Sequence, residues 1–455
     1  MRPEVQIKFQ KIIQSFKDGN FYHAESMISV MLQEDHGNFN SIFQLGISYA
    51  KNGEHDLALR VLTLLHNQFG ANSQLLYNLG LIHSLMGNHQ EALVAYLSAH
   101  EKDSFDVEIY VNLSSTYSDL KNFPKALEAA ELAIDIDPKI PEAWSNKGIA
   151  LSNMSRYHEA VDAYDWAISL DSGYAEAWSN KSVPLMRLKQ YALAKEACDK
   201  AISIKPNYAE AWCNKGTVLA ESGDHQAAIG CFENALISRP NYIQAWSGKG
   251  NALNDLGFYK HAIDAYDRAI SIDSKYVDAW SNKACSLHEI KQYKEALKCH
   301  QQAVALRQDS AQAWFNYGVT LHELRQYENA LKNYDRAIEL CPAYAQAWFN
   351  KGVTFNISKK YNEALVCYEK AINLKHKIDW MTGDLVHLEM NICAWDKLHQ
   401  YTKDVIVNIL ADQKITTPLP LISLSDDALL QRKSSEIYSF NQFPQISSLG
   451  QISNF

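Results

Sequence analysis

The sequence predicts an all-α solenoid of about eleven helix hairpins, followed by a short C-terminal helical appendage. Three observations carry that reading. A tryptophan recurs every 34 residues, at Trp144, Trp178, Trp212, Trp246, Trp280, Trp314 and Trp348. Sixteen residues after each stands an alanine, from Ala160 to Ala364, and seven residues further on a second one, from Ala167 to Ala371. A polar turn such as "SNMSRY" or "NDLGFY" splits each unit into two apolar stripes at helical spacing.

The elements follow from the period. Stepping back from Trp144 gives Tyr110, Leu76 and Ile42, which are still apolar and are followed by Ala126, Ala92 and Ala58. Ten units begin at Phe39, Ser73, Val107, Pro141, Ala175, Ala209, Ile243, Val277, Ala311 and Ala345. A degenerate first unit begins near Val5. It keeps Ala24 but has Lys8 at the tryptophan slot, as expected of a cap that exposes one face to water. The repeats thus span 5–378, and Pro138, Pro206, Pro240 and Pro342 mark unit ends.

Small residues at the Gly and Ala slots let the two helices of a unit approach closely. A large ring at Tyr96, Tyr164, Phe232, Tyr266, Tyr334 or Tyr368 fills the space beside them. One hairpin cannot bury its own apolar face, but stacked neighbours can. The slot before the glycine is often lysine: Lys147, Lys181, Lys215, Lys249, Lys283 and Lys351. A lysine stem can lie along apolar surface while its ammonium stays wet.

Two residues after the tryptophan slot stand Asn78, Asn112, Asn146, Asn180, Asn214, Asn282, Asn316 and Asn350. Gly248 breaks the series and Gln44 takes the slot in an early unit. Asparagine is a poor helix former. Two residues turn the helix by roughly 200°, so each asparagine points away from a core-facing tryptophan. One reading is a solvated or capping residue. The position lies inside the first helix, however, and a cap belongs at its start. The other reading is peptide binding, because one amide carries both a donor and an acceptor and so matches the backbone of an extended peptide. Glu142, Glu176, Glu210 and Asp278 precede the tryptophan slots. They either favour basic or hydroxyl-rich segments or only solvate the rim.

The repeated residues resemble the tetratricopeptide repeat, whose signature runs Trp, Gly, Ala, aromatic, Ala, Pro. That resemblance implies a right-handed superhelix. After 378 the pattern stops, with Thr382 where the next tryptophan would stand. The segment 379–455 predicts two helices around "ICAW", a proline-containing extended link, a helix from about Asp426 to Phe440 and a polar, frayed tail. Through "GDLVHLEMNICAW", "PLPLISLSDDALLQRKSSEIYS" and the closing "FP", it resembles the junction between repeats and catalytic region in bacterial, SPINDLY-like relatives of the O-linked N-acetylglucosamine transferases. That family commonly has Cys-Asp-Trp where this chain has Cys393-Ala394-Trp395. The resemblance implies an asparagine ladder that holds protein substrates, carried here by the eight asparagines above.

Other classes are disfavoured. The net charge of −9 argues against nonspecific nucleic-acid binding, which needs a basic face. No apolar run approaches about 18 residues, and the charged N-terminus is no signal peptide, so no membrane partner is expected. The eight cysteines form no CxxC pair, which favours buried free thiols in a reducing cytosol over a metal or disulfide role. His288-Glu289 and His322-Glu323 resemble the start of HExxH, but Gln292 and Gln326 stand at the fifth position, so no metal site is expected. No strand followed by a Gly-rich turn and a helix comes after the junction. The expected molecule is therefore a cytoplasmic, non-enzymatic scaffold without cofactor that binds an extended protein segment. The alternative is the substrate-recognition portion of a protein glycosyltransferase whose catalytic lobes are encoded elsewhere.

Overall fold

A computed structural model describes residues 3–35, 38–70, 72–103, 106–374, 381–392 and 398–442. Every element among them is a helix. The chain divides into two compact units, 1–240 and 241–455.

The first unit holds seven hairpins: α1 and α2 (Pro3–Lys17, Phe21–Glu34), α3 and α4 (Phe39–Lys51, His55–Phe69), α5 and α6 (Ser73–Leu85, His89–His100), α7 and α8 (Val107–Asp119, Phe123–Ile136), α9 and α10 (Pro141–Asn153, Tyr157–Leu170), α11 and α12 (Ala175–Arg187, Tyr191–Ile204), and α13 and α14 (Ala209–Glu221, His225–Ser238). The second unit adds α15 and α16 (Ile243–Asp255, Tyr259–Ile272), α17 and α18 (Val277–Glu289, Tyr293–Leu306), α19 and α20 (Ala311–Glu323, Tyr327–Leu340), and α21 and α22 (Ala345–Ile357, Tyr361–Asn373). Four further helices follow: α23 (Met381–Asn391), α24 (Leu398–Leu410), α25 (Pro418–Leu424) and α26 (Ala428–Gln442).

Each hairpin turns at the same point. Residues 19, 53, 87, 121, 155, 189, 223, 257, 291, 325 and 359 all have positive φ. Five are glycines, which enter this region freely. The other six, such as Ser155 (φ 61°) and Lys291 (φ 61°), hold a conformation that L residues adopt at some cost.

The helices of a hairpin meet through a small residue facing a large one. A Cβ on Gly80 would lie 2.7 Å from the Tyr96 ring, on Gly148 2.8 Å from Tyr164, on Gly216 2.8 Å from Phe232 and on Gly318 2.6 Å from Tyr334. The pair varies elsewhere: Ser182 faces Cys198, Ala284 shares its register with His300, and Gly46 faces Leu62. Ala160, Ala167, Ala194, Ala201, Ala228 and Ala235 are fully buried, as the close approach requires. In the first hairpin Ala24 is fully buried and Lys8 pairs with Glu34 across its outer end.

The tryptophans pack at the edge of the core, as Trp144, Trp178, Trp246 and Trp280 do. All seven are half-buried, and they staple hairpins together. The indole Nε1 donates to the backbone carbonyl six residues earlier: Trp144 to Pro138 (2.9 Å), Trp212 to Pro206 (2.8 Å), Trp280 to Ser274 (2.9 Å) and Trp348 to Pro342 (3.1 Å). The indole must bury its body and keep one hydrogen bond. The turn between hairpins supplies a carbonyl at the right reach.

The C-terminal region departs from expectation in one place. The stretch "PLPLISL" is the helix α25 rather than an extended link. Pro418 stands in its first turn, where the missing N–H does no harm, and Leu421 is fully buried against Val386, Val405 and Ile409. The two helices expected around "ICAW" are α23 and α24, and α26 covers the expected third. The Cys393-Ala394-Trp395 triplet and the tail from 443 lie outside the described residues.

Candidate functional site

Within each unit the first helices of successive hairpins pack on one another, from α5 to α13 and from α15 to α21. The second helices, α2 with α4 apart, approach each other less closely. Each stack therefore curves toward its first helices, and all eight asparagines lie on those helices, half-exposed.

Their amide nitrogens are largely committed. In the first unit Asn78 Nδ2 donates to Gln74 O (2.7 Å). Asn112 Nδ2 donates to Glu108 O (2.9 Å) and to the Tyr77 hydroxyl (3.2 Å). Asn146 Nδ2 reaches back to Val111 O on the preceding first helix (3.0 Å). Asn214 does the same to Ser179, at 3.3 Å to the carbonyl and 3.1 Å to the hydroxyl. In the second unit Asn282 Nδ2 donates to Asn251 Oδ1 (2.9 Å). Asn316 Nδ2 donates to Cys285 Sγ (3.4 Å), while its Oδ1 accepts from Gln312 (2.8 Å). Asn180 and Asn350 make no side-chain hydrogen bond among the described residues. The row is thus partly structural: the donors of Asn112, Asn146, Asn214, Asn282 and Asn316 tie one first helix to the one before. The acceptor oxygens of Asn78, Asn112, Asn146, Asn180, Asn214, Asn282 and Asn350 remain unused by the described residues.

The acidic positions divide. Glu210 pairs with Arg239 (2.6 Å) and Asp278 with Arg307 (3.2 Å), each joining the start of a hairpin to the end of its second helix. These two are spent on the fold. Glu142 and Glu176 are exposed and form no ion pair among the described residues.

Two further inter-hairpin ladders escaped the sequence reading. Five of the repeated lysines reach the second helix of the previous hairpin: Lys147 to Glu131 (2.9 Å), Lys181 to Asp165 (2.5 Å), Lys215 to Asp199 (2.6 Å), Lys283 to Asp267 (2.5 Å) and Lys351 to Asp335 (2.5 Å). The ammonium also sits over its own helix's tryptophan, 5.4 Å from the Trp212 centroid for Lys215. These nitrogens are paired rather than simply wet. The signal was present sixteen residues upstream. Where the acid slot holds Gln301, the lysine slot holds Tyr317. The second ladder is made of hydroxyls. Ser286 donates to Asn254 (2.7 Å), and Thr320 and Thr354 meet His288 Nδ1 (3.2 Å) and His322 Nδ1 (2.9 Å). The histidines of the two His-Glu pairs are therefore interlocks between hairpins. Among the described residues no three His, Cys, Asp or Glu side chains could hold a metal ion.

The described cysteines are free thiols, and Cys341 is the exposed one among them. Cys198, Cys213, Cys231, Cys299 and Cys367 are buried. Burial raises Cys198 to about 12 and Cys285 and Cys367 to about 11. Such thiols stay protonated and poorly nucleophilic at neutral pH. No described helix is long and apolar enough to cross a membrane.

Family models of the tetratricopeptide repeat match residues 43–107, 107–140, 141–174, 175–208, 213–277, 265–298 and 345–377, and a further TPR repeat model matches 322–356. No curated protein matches the chain. Among solved structures, a tetratricopeptide repeat protein from Parabacteroides merdae is 18% identical, with a TM-score of 0.48 over 55% of this chain and 99% of its own. The Cut9–Hcn1 APC/C hetero-tetramer is 14% identical, with 0.41 over 82% and 94%. MamA is 21% identical, with 0.34 over 35% and 94%. The resemblance of 379–455 to a glycosyltransferase junction finds no support in these comparisons. Stacked repeats of this kind present extended surfaces to protein partners. The chain belongs to the tetratricopeptide-repeat proteins, a family of protein-interaction scaffolds.

Proposed function

We propose that the chain is a non-catalytic scaffold that binds an extended segment of a partner protein along its first helices, gripping the segment by its backbone. The observation that carries this reading is the row of unused asparagine oxygens at fixed positions on successive first helices. An extended strand displays N–H donors at regular intervals whatever its sequence. Fixed acceptors can take those donors without reading side chains. The Nδ2 bonds to the preceding helix hold most of these amides in place beforehand, which lowers the ordering cost of binding. Asn180 and Asn350 keep donor and acceptor alike, so each can take a C=O and an N–H.

Site-directed photo-crosslinking tests the reading. A benzophenone side chain is placed singly at Asn146, Asn180 and Asn214, and as a control at Glu196, exposed on the second helix α12. The three row positions should label one short stretch of one partner, in the order of the repeats, and Glu196 should not. Labels scattered over several faces of a folded partner would contradict an extended ligand. Labelling from Glu196 alone would contradict the face.

A further inference from the structure

In the second unit the C-terminal helices close over the last first helices and leave a cavity of about 410 Å³. Val319, His322 and Glu323 of α19 line it, with Phe349, Asn350 and Val353 of α21. Asp384 of α23 and Tyr438 of α26 close it from the other side. Among the described residues no lysine or arginine lines it. We propose that this cavity receives a cationic side chain, lysine or arginine, with Asp384 as its counter-charge and the rings and valines holding its stem.

Asp384 is the focus. It forms no hydrogen bond or ion pair among the described residues, although it stands half-buried in the first turn of α23. Burial raises its carboxyl to about 6, the mark of a carboxylate lacking a counter-charge. Above that pH it is a half-buried anion facing the cavity, and such an anion is stabilised by an incoming cation. Glu323 adds a second carboxylate at the exposed mouth. His322 does not supply the missing cation. Its Nδ1 meets the Thr354 hydroxyl, and burial lowers its pKa, so the ring stays neutral. The Phe349 ring offers an apolar wall for an alkyl stem and a face for the cation. The unbonded amide of Asn350 opens into the same cavity, so a segment gripped there would have a side chain at the opening. Identifying the occupant as part of a bound segment rests on the backbone-gripping reading; the cation preference does not.

Saturation-transfer NMR on the full chain tests the site with three capped probes: Nα-acetyl-lysine methylamide, Nα-acetyl-arginine methylamide and the uncharged Nα-acetyl-norleucine methylamide. At neutral pH one or both cationic probes should show transfer and norleucine should not. Asp384→Asn should weaken the cationic signal by about tenfold or more, since each tenfold reflects one lost charge-assisted contact of ordinary strength. If Asp384→Asn does not fold, Glu323→Gln at the exposed mouth should still weaken it severalfold. Equal binding of norleucine, no binding of either cation, or cation binding unchanged in both variants would overturn the proposal. The two readings fail separately. Crosslinks from Asn146, Asn180 and Asn214 report on the first unit, where this cavity has no residue.

Discussion

The packing logic is tested most sharply at Gly250. A Cβ there would stand 2.5, 2.8 and 2.9 Å from Cε1, Cδ1 and Cζ of Tyr266, a ring that is 1% exposed. The ring cannot tilt freely, because its hydroxyl donates to Asn251 Oδ1 (2.8 Å), which also accepts from Asn282 of the asparagine row. Two effects oppose each other in Gly250→Ala. Overpacking costs about 1–3 kcal/mol, and alanine gains about 1 kcal/mol over glycine inside a helix. The net result should be a loss of about 1 kcal/mol. Gly230→Ala is the control, since a Cβ there meets nothing within 4 Å, and it should gain about 1 kcal/mol. In a Tyr266→Cys background, the arrangement the chain uses at Ser182 and Cys198, Gly250→Ala should turn from destabilising to stabilising. Hydrogen exchange of α15 and α16 reads this locally, which suits a repeat array whose unfolding is not a single transition. Gly250→Ala as stabilising as Gly230→Ala, with Tyr266 in place, would refute the reasoning.

Ala228→Leu places a larger side chain at a fully buried contact and should cost about 1–3 kcal/mol. Its hydrogen-exchange loosening should centre on the neighbouring hairpins, and even loosening of the whole chain would contradict nearest-neighbour stacking. His300 is buried against Tyr317, and burial, aided by His288, lowers its pKa to about 3. Its folded pKa lies below the unfolded value, so stability is full above about pH 6.5 and falls as pH drops toward 3. Between pH 7 and 5.5 the loss from this group should be about 1 kcal/mol. His300→Gln should remove that component of the pH dependence in denaturation curves; an identical pH dependence would show that the ring is not held neutral. The Asn146→Ala and Asn214→Ala double variant loses inter-hairpin bonds worth about 0.5–1.5 kcal/mol each and gains helix propensity. Its melting temperature should therefore shift by only a few degrees, and a collapse of the fold would make the row primarily structural.

Much of the fold was legible because a 34-residue register leaves little choice. The tryptophan and alanine spacing placed both helices of ten hairpins, and Ala24 sufficed for the degenerate first one. What was misread concerned the direction in which side chains spend their polar atoms. Trp144 and its equivalents face the core as expected, but their spacing did not show that the indole N–H needs a carbonyl and holds the ring at the hairpin boundary. The Lys181 ammonium read as solvated because its partner, Asp165, lies across a hairpin boundary. The helix at Pro418 was missed because two prolines in three residues argue against one, although the first stands where a helix tolerates it. At the asparagines the sequence showed the row but not its division of labour, since whether Nδ2 faces a neighbouring carbonyl or a partner depends on how closely the first helices stack.

The central claim is that this face grips the backbone of an extended segment, and Asn180 isolates it. Its amide has no intramolecular partner among the described residues, so Asn180→Ala removes nothing from the fold and adds a better helix former. The measurement is calorimetric titration of the crosslink-identified segment, synthesised as a peptide, against the parent chain and Asn180→Ala, with a thermal melt of each. One or two lost hydrogen bonds, each worth about 0.5–1.5 kcal/mol, predict affinity weakened by about 2-fold to 100-fold, together with a melting temperature equal to or above the parent's. Unchanged affinity, or weakened affinity matched by a lowered melting temperature, would contradict the account.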